Sequence, residues 1–153
     1  MTFIPRPVLS LSALTLFLLS PFCSAIDNTA LGTQTLAKLE LRAQQATPRE
    51  RCFLYADLLH AATVLAGQQI LDGKNEEATI TLKKIDQYAQ LVHLGLAGEP
   101  KRLKNTEMLM QDTAYRLKEY LRSASENDRG LLQGALAQLN RIHDELISQL
   151  FRR

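Results

Sequence analysis

The chain has 153 residues, a formal net charge of +2, and 46% hydrophobic but only 6% aromatic side chains. A near-neutral total excludes the strongly basic character of a bulk nucleic-acid-binding domain. Two cysteines, Cys23 and Cys52, exclude a disulfide scaffold.

Met1 to Ala25 reads as a cleavable signal peptide. The amino terminus and Arg6 precede an apolar run, Val8 to Leu19, and a proline-broken stretch ends in Cys23-Ser24-Ala25. Small residues at Cys23 and Ala25 suit signal peptidase, which places the mature start at Ile26. The apolar run is shorter than the ~20 residues that span a bilayer, so no stable transmembrane anchor is expected. Bulky Phe22 stands where a lipoprotein signal needs a small residue, which argues against lipid attachment at Cys23. The expected product is an exported protein, periplasmic or secreted, with residues 26–153 forming one helical-bundle domain. Arg6 is the only charged side chain of the leader, so processing lowers the net charge to +1. Cys52 is then the only cysteine left, and stability must come from packing without an intrachain disulfide.

After a frayed start, Leu31 to Ala46 reads as a helix with Leu36, Leu39 and Ala43 on one face. Thr47-Pro48-Arg49-Glu50 predicts the next helix start: Thr47 as cap, Pro48 at the first helical position and Glu50 completing a capping box. This second helix should run to Asp72, where Gly73 supplies a left-handed stop. Arg49, Glu50, Asp57, His60, Gln68 and Asp72 collect on one stripe. Cys52, Tyr55, Leu58, Leu59, Ala62, Leu65, Ala66 and Ile70 cover the rest, a wide apolar arc that suits several neighbours.

The third helix, Glu76 to Ala97, carries Ala78, Leu82, Ile85, Ala89, Val92 and Leu96 in alternating steps of four and three. Gly98-Glu99-Pro100 breaks it. The fourth, Lys101 to Ala124, points Leu103, Met110, Ala114, Leu117, Leu121 and Ala124 inward. Ser125-Glu126-Asn127-Asp128 is a second capping signature. The fifth, Asp128 to Phe151, repeats the seam with Leu132, Ala135, Leu139, Ile142, Leu146 and Leu150. No stretch alternates with the period of two that strands need. Short loops between four long helices imply antiparallel neighbours. The expected fold class is all-α: an antiparallel up-down-up-down four-helix bundle with an additional N-terminal helix.

Catalytic and cofactor chemistry is sought in the same residues. His60, His93 and His143 fall one to a helix. A di-metal bundle needs Glu-x-x-His on two helices, because residues three apart project together into the core. Asp57-x-x-His60, Gln90-x-x-His93 and Asn140-x-x-His143 are the nearest matches, and two of them lack the carboxylate. The histidines are therefore read as surface or boundary residues, and no metal or other cofactor is assigned. Cys-x-x-Cys-His haem attachment is absent; non-covalent haem held by a histidine with Met108 or Met110 belongs to the alternative reading. Cys52 has no thiol-enzyme signature, and no nucleophile elbow or phosphate loop occurs. Its place beside Tyr55 and Leu59 marks it as a small core residue. Met108, Met110, Tyr115 and Tyr120 are either an adaptable ligand patch or gap-filling core, the commoner use of methionine in such a seam.

Gly73-Lys74-Asn75-Glu76-Glu77-Ala78 resembles the inter-helix turn of tetratricopeptide repeats, but for one turn only, between helices too long for that ~34-residue unit. The stretch from Arg51-Cys52-Phe53-Leu54-Tyr55-Ala56 through Lys101-Arg102-Leu103-Lys104-Asn105 to the end resembles small exported all-helical proteins of uncharacterised function. That resemblance covers most of the mature chain and implies no activity, cofactor or catalytic residue.

Two functions from different classes are consistent with these features. The first is a non-catalytic binding module for another protein or an anionic envelope component, itself a monomer or weak homodimer. The alternative is a small-ligand, haem or metal-binding bundle with a redox or sensor role. The first rests on export, bundle architecture and the absence of a catalytic grouping, and charge suggests where it would bind. If the helices alternate, one pole gathers Arg49, Arg51, Lys101, Arg102, Lys104, Arg152 and Arg153, opposed mainly by Glu50, Glu99 and Glu107. The other gathers Asp72, Glu76, Glu77, Glu126 and Asp128. Cations at a helix start oppose the macrodipole by a few tenths of a kcal/mol each, although the same cations favour the neighbouring helix ends. Arg49, Arg51, Lys101, Arg102 and Lys104 are the candidate anion- or partner-binding residues.

Overall fold

The computed structural model describes residues 28–97 and 100–152. Residues 1–27, on which the expected leader and its cleavage position fall, together with Gly98, Glu99 and Arg153, lie outside the described residues. Five helices account for nearly all of the rest: α1 (Asn28–Gln45), α2 (Pro48–Leu71), α3 (Asn75–Leu96), α4 (Leu103–Ser123) and α5 (Glu126–Phe151). No strand occurs among the described residues, and none of the described helices is long and apolar enough to cross a membrane.

The aliphatic seams form the core as their spacing predicts. All six positions of α3 (Ala78, Leu82, Ile85, Ala89, Val92 and Leu96) are buried. In α5, Leu132, Ala135, Leu139, Ile142 and Leu146 are buried, and Leu150 packs partly buried against them. Full burial of one such Leu or Ile stabilises the fold by about 1.5–3 kcal/mol. Threonines complete the α4 seam: Thr106 and Thr113 are fully buried between Leu103, Met110 and Leu117. Their hydroxyls donate to the carbonyls of Arg102 (3.2 Å) and Leu109 (2.7 Å), so each buries a methyl while its polar atom stays satisfied.

The two capping signatures have different outcomes. Thr47 makes no side-chain cap; its hydroxyl donates to the Glu50 carboxylate at 2.9 Å, and the expected capping box is not formed. The second signature, at α5, does cap: the Ser125 hydroxyl oxygen accepts from the Asp128 N–H at 3.3 Å and donates to its carboxylate at 2.7 Å. Gly73 has φ +71°, the left-handed turn expected after α2.

α2 packs against α1, α3 and α4, which accounts for its wide apolar arc, while α5 packs against α3 and α4. α3 and α4 do not pack against each other despite the short connection between them. A short loop therefore does not make these two consecutive helices neighbours. Contacts climb α2 and α4 together: Phe53 with Arg102, His60 with Thr113, Gly67 with Tyr120. They also climb α3 and α5 together: Thr79 with Asp128, His93 with Glu145, Leu96 with Gln149. α1 lies on α2 and is tied to α3 through Glu40, which accepts from Tyr88 and, at 3.1 Å, from Lys84.

Small residues set the closest helix approaches. Gly67 is buried, and the Tyr120 ring of α4 occupies the space that a β-carbon would need. Gly95 lets α3 approach α2 so closely that an added β-carbon would lie 3.0 Å from the Cα of Cys52.

Candidate functional site

Backbone and side-chain contacts gather several helix ends at one place. The Lys101 N–H donates to the Arg49 carbonyl at 2.8 Å, which joins the approach to α4 to the start of α2. The contact between Gly95 and Cys52 brings in the last turn of α3. Gln149 donates to the Leu96 carbonyl at 3.2 Å and brings in the end of α5. The end of α1 joins through Arg51, whose Nε donates to the Ala46 carbonyl at 3.0 Å.

Of the residues singled out from the sequence, Arg49, Arg51, Lys101 and Arg102 thus meet at one end and are all exposed. Lys104 is exposed in the first turn of α4 but does not line the cavity there. That cavity, about 180 Å³, is lined by Arg42, Glu50, Phe53, Leu54, Lys101 and Arg102. Arg42, Lys101, Arg102 and Lys104 make no ion pair among the described residues. Glu107, expected to oppose this charge, is instead engaged by His143 at 3.1 Å.

Arg102 is the strained residue of this end. It caps α4 at φ 62°, ψ 31°, the only non-glycine residue with positive φ among those described. That conformation costs a non-glycine L-residue about 1–2 kcal/mol. Its guanidinium lies 5.1 Å from the centroid of the Phe53 ring. An exposed cation–π contact is worth about 0.5–1 kcal/mol and offsets part of the strain.

Sequence reasoning missed Arg42, Phe53 and Leu54. The signal for Arg42 is present, because a two-residue turn after α1 returns the last turn of that helix to the start of α2. Phe53 and Leu54 carry no comparable signal: both are half-buried in α2, and Leu54 also packs against the core. A second hollow, about 280 Å³, lies on the other side of the α2 start and is lined by Pro48, Arg51, Tyr55, Leu91, Leu94 and Gly95.

The remaining candidates are dispersed. Cys52 is fully buried, its thiol directed at the Val92 carbonyl at 3.8 Å, and burial pushes its pKa up to about 11. His60 is half-buried between α2 and α4, with Nδ1 at 3.1 Å from the Thr113 hydroxyl and 3.6 Å from Asp112. Since Thr113 donates its own proton to Leu109, Nδ1 is the donor to it. Burial lowers the His60 pKa, and Asp112 and Asp57 only partly oppose this. His93 pairs with Glu145 at 2.7 Å across α3 and α5. The three histidines thus occupy three different helix seams, and no group of three or more His, Cys, Asp or Glu among the described residues is placed to hold a metal ion.

Met110 is buried and Met108 exposed; Tyr115 is exposed while Tyr120 covers Gly67. These four do not form one patch. Compared with known protein families, with curated proteins and with solved structures, the chain matches none.

Proposed function

We propose that this chain is an exported, non-catalytic binding protein whose basic end takes an acidic surface of another protein. The helices α2 to α5 are read as an up-down-up-down bundle with α1 added; the order of contacts along each helix pair supports that reading. It puts the starts of α2 and α4 at the same end as the finishes of α3 and α5.

The observation that carries the reading is the convergence of Arg42, Lys101 and Arg102 around Phe53 and Leu54. Unpaired cations beside apolar side chains suit a carboxylate-bearing protein surface, where charge steers the encounter and apolar contact holds it. A polysaccharide or polyphosphate of the envelope would use the cations and leave Tyr55, Leu91 and Leu94 of the adjoining hollow without a role.

Capture of an acidic polypeptide, poly-L-glutamate, by the immobilised mature protein tests this. Reversing Arg49, Lys101 and Arg102 to Glu should abolish capture and leave the helical circular-dichroism signal unchanged. Capture that survives both the triple change and raised salt would end the proposal. Export is tested by N-terminal sequencing of the secreted or periplasmic product, which should begin at Ile26; an intact Met1 start would mean a signal anchor.

A further inference from the structure

The end opposite the basic one is its chemical complement. Asp72, Glu76 and Glu77 are exposed there and make no ion pair among the described residues. The Glu126 side chain is 95% exposed. The cations of that end are already engaged: Arg129 with Glu126 at 3.7 Å, Arg122 with Glu119 at 3.0 Å, and Lys74 with the Thr29 hydroxyl at 2.7 Å. Asp128 is buried and committed to Ser125 and Thr79, so it adds nothing to the surface.

Each end also exposes large apolar side chains. Leu71 and Ile80 are 67% and 61% exposed near the acidic end, and Leu94 and Phe151 are 67% and 86% exposed near the basic end. Such residues give an isolated copy no stabilisation, whereas facing another surface they lose contact with water.

We propose that the chain associates end to end with a second copy of itself, the basic end of one against the acidic end of the next. The proposal rests on the reading that the basic end takes an acidic protein surface, and it names that surface. Because the two patches lie on different ends, the contact is heterologous and continues as an open row instead of closing into a two-fold dimer. Helices about 10 Å across give an end face of roughly 400 Å² per copy. That is about 800 Å² in all, below the ~1,200 Å² of stable complexes, so the association is weak and dominated by charge.

Sedimentation velocity on the mature protein tests it, with two charge-reversed variants. One carries Lys101→Glu and Lys104→Glu, the other Glu76→Lys and Glu77→Lys. At low ionic strength the wild-type weight-average mass should rise by roughly half or more between micromolar and millimolar protein. It should return to the monomer value near 1 M salt, where charges are screened beyond about 3 Å. Each variant alone should stay monomeric, and an equimolar mixture should regain association through the one unaltered pair of ends, the basic end of the second variant against the acidic end of the first.

A wild type that remains monomeric at millimolar concentration, or variants that associate as it does, would overturn the proposal. Retention of poly-L-glutamate by that monomeric wild type would leave the basic-end reading standing and remove only the second copy as its partner. Loss of both would remove the two together.

Discussion

Replacing Gly67 by Ala puts two helix effects in direct opposition. Alanine gains about 1 kcal/mol over glycine in a helix interior, from lower backbone entropy in the unfolded chain. At Gly67, however, the new methyl would enter the Tyr120 ring, whose three nearest carbons all lie within the forbidden distance. The ring must move or α2 and α4 must part, and overpacking of this kind costs about 1–3 kcal/mol or more. The contact is with a ring against a buried glycine and all three distances are far too short, so the steric cost falls in the upper part of that range, about 2–3 kcal/mol, and net destabilisation of about 1–2 kcal/mol is expected. For a domain of this size that lowers Tm by roughly 3–10 °C. Gly134→Ala is the control: it lies in α5 with open space around a new β-carbon and should raise stability by about 0.5–1 kcal/mol. Thermal and urea unfolding of both, and of the Gly67→Ala/Tyr120→Ala pair, measure the coupling. The double variant should lose at least ~0.5 kcal/mol less than the sum of the single ones. A Gly67→Ala protein as stable as Gly134→Ala, with additive double-variant losses, would refute the packing argument.

Other expectations follow from individual side chains. Leu139→Ala, at a fully buried site, should cost about 2–5 kcal/mol in urea unfolding, and a loss below 1 would mean the α5 seam has been misread. Cys52 should label slowly with a thiol reagent in the native protein and rapidly in denaturant. Its raised pKa means that its contribution to stability is complete below the ordinary thiol pKa near 9 and lost as pH rises towards about 11; Cys52→Ala should flatten that part of the stability profile. His60 has the opposite sign: its folded pKa is lowered, so its contribution is present above about 6.5 and lost as pH falls below it. Wild type should therefore lose more stability than His60→Gln on going from pH 7 to pH 5, and equal losses would show that burial does not control this imidazole.

Seams built from Leu, Ile, Val and Ala were legible because a helical period needs no partner to be recognised. Their core positions depend only on which residues share a face. Thr106 and Thr113 were not legible, since a threonine looks polar until its hydroxyl is seen to close on its own helix. Gln69 and Thr81 were missed for a related reason: each is acceptable in the core because the other lies across the α2–α3 contact, at 2.7 Å. Thr47 and Ser125 show the limit of capping signatures, because a cap motif does not decide whether the hydroxyl meets a backbone N–H or a carboxylate. The cations of the candidate site were recognised by their positions at helix starts. The apolar floor beneath them, Phe53 and Leu54, emerges only when the α4 approach is laid against α2. The neighbour relations of α3 and α4 were beyond reach, because loop length limits how far two helices can separate but not which side of α2 each occupies.

The position of α1 gives the molecule an order of opening. α1 shares its packed interface with α2 alone and is otherwise held by the Glu40 cluster and by Lys74 on Thr29. Peeling it away sacrifices one helix contact and leaves the ring of α2, α3, α5 and α4 closed, whereas α2 cannot leave without opening three contacts at once. In amide hydrogen exchange, the α1 amides would then report a sub-global event of low free energy, and those of α2 the global one. Glu40→Gln would widen the gap between the two, making the first helix a separable foldon on a bundle that persists beneath it.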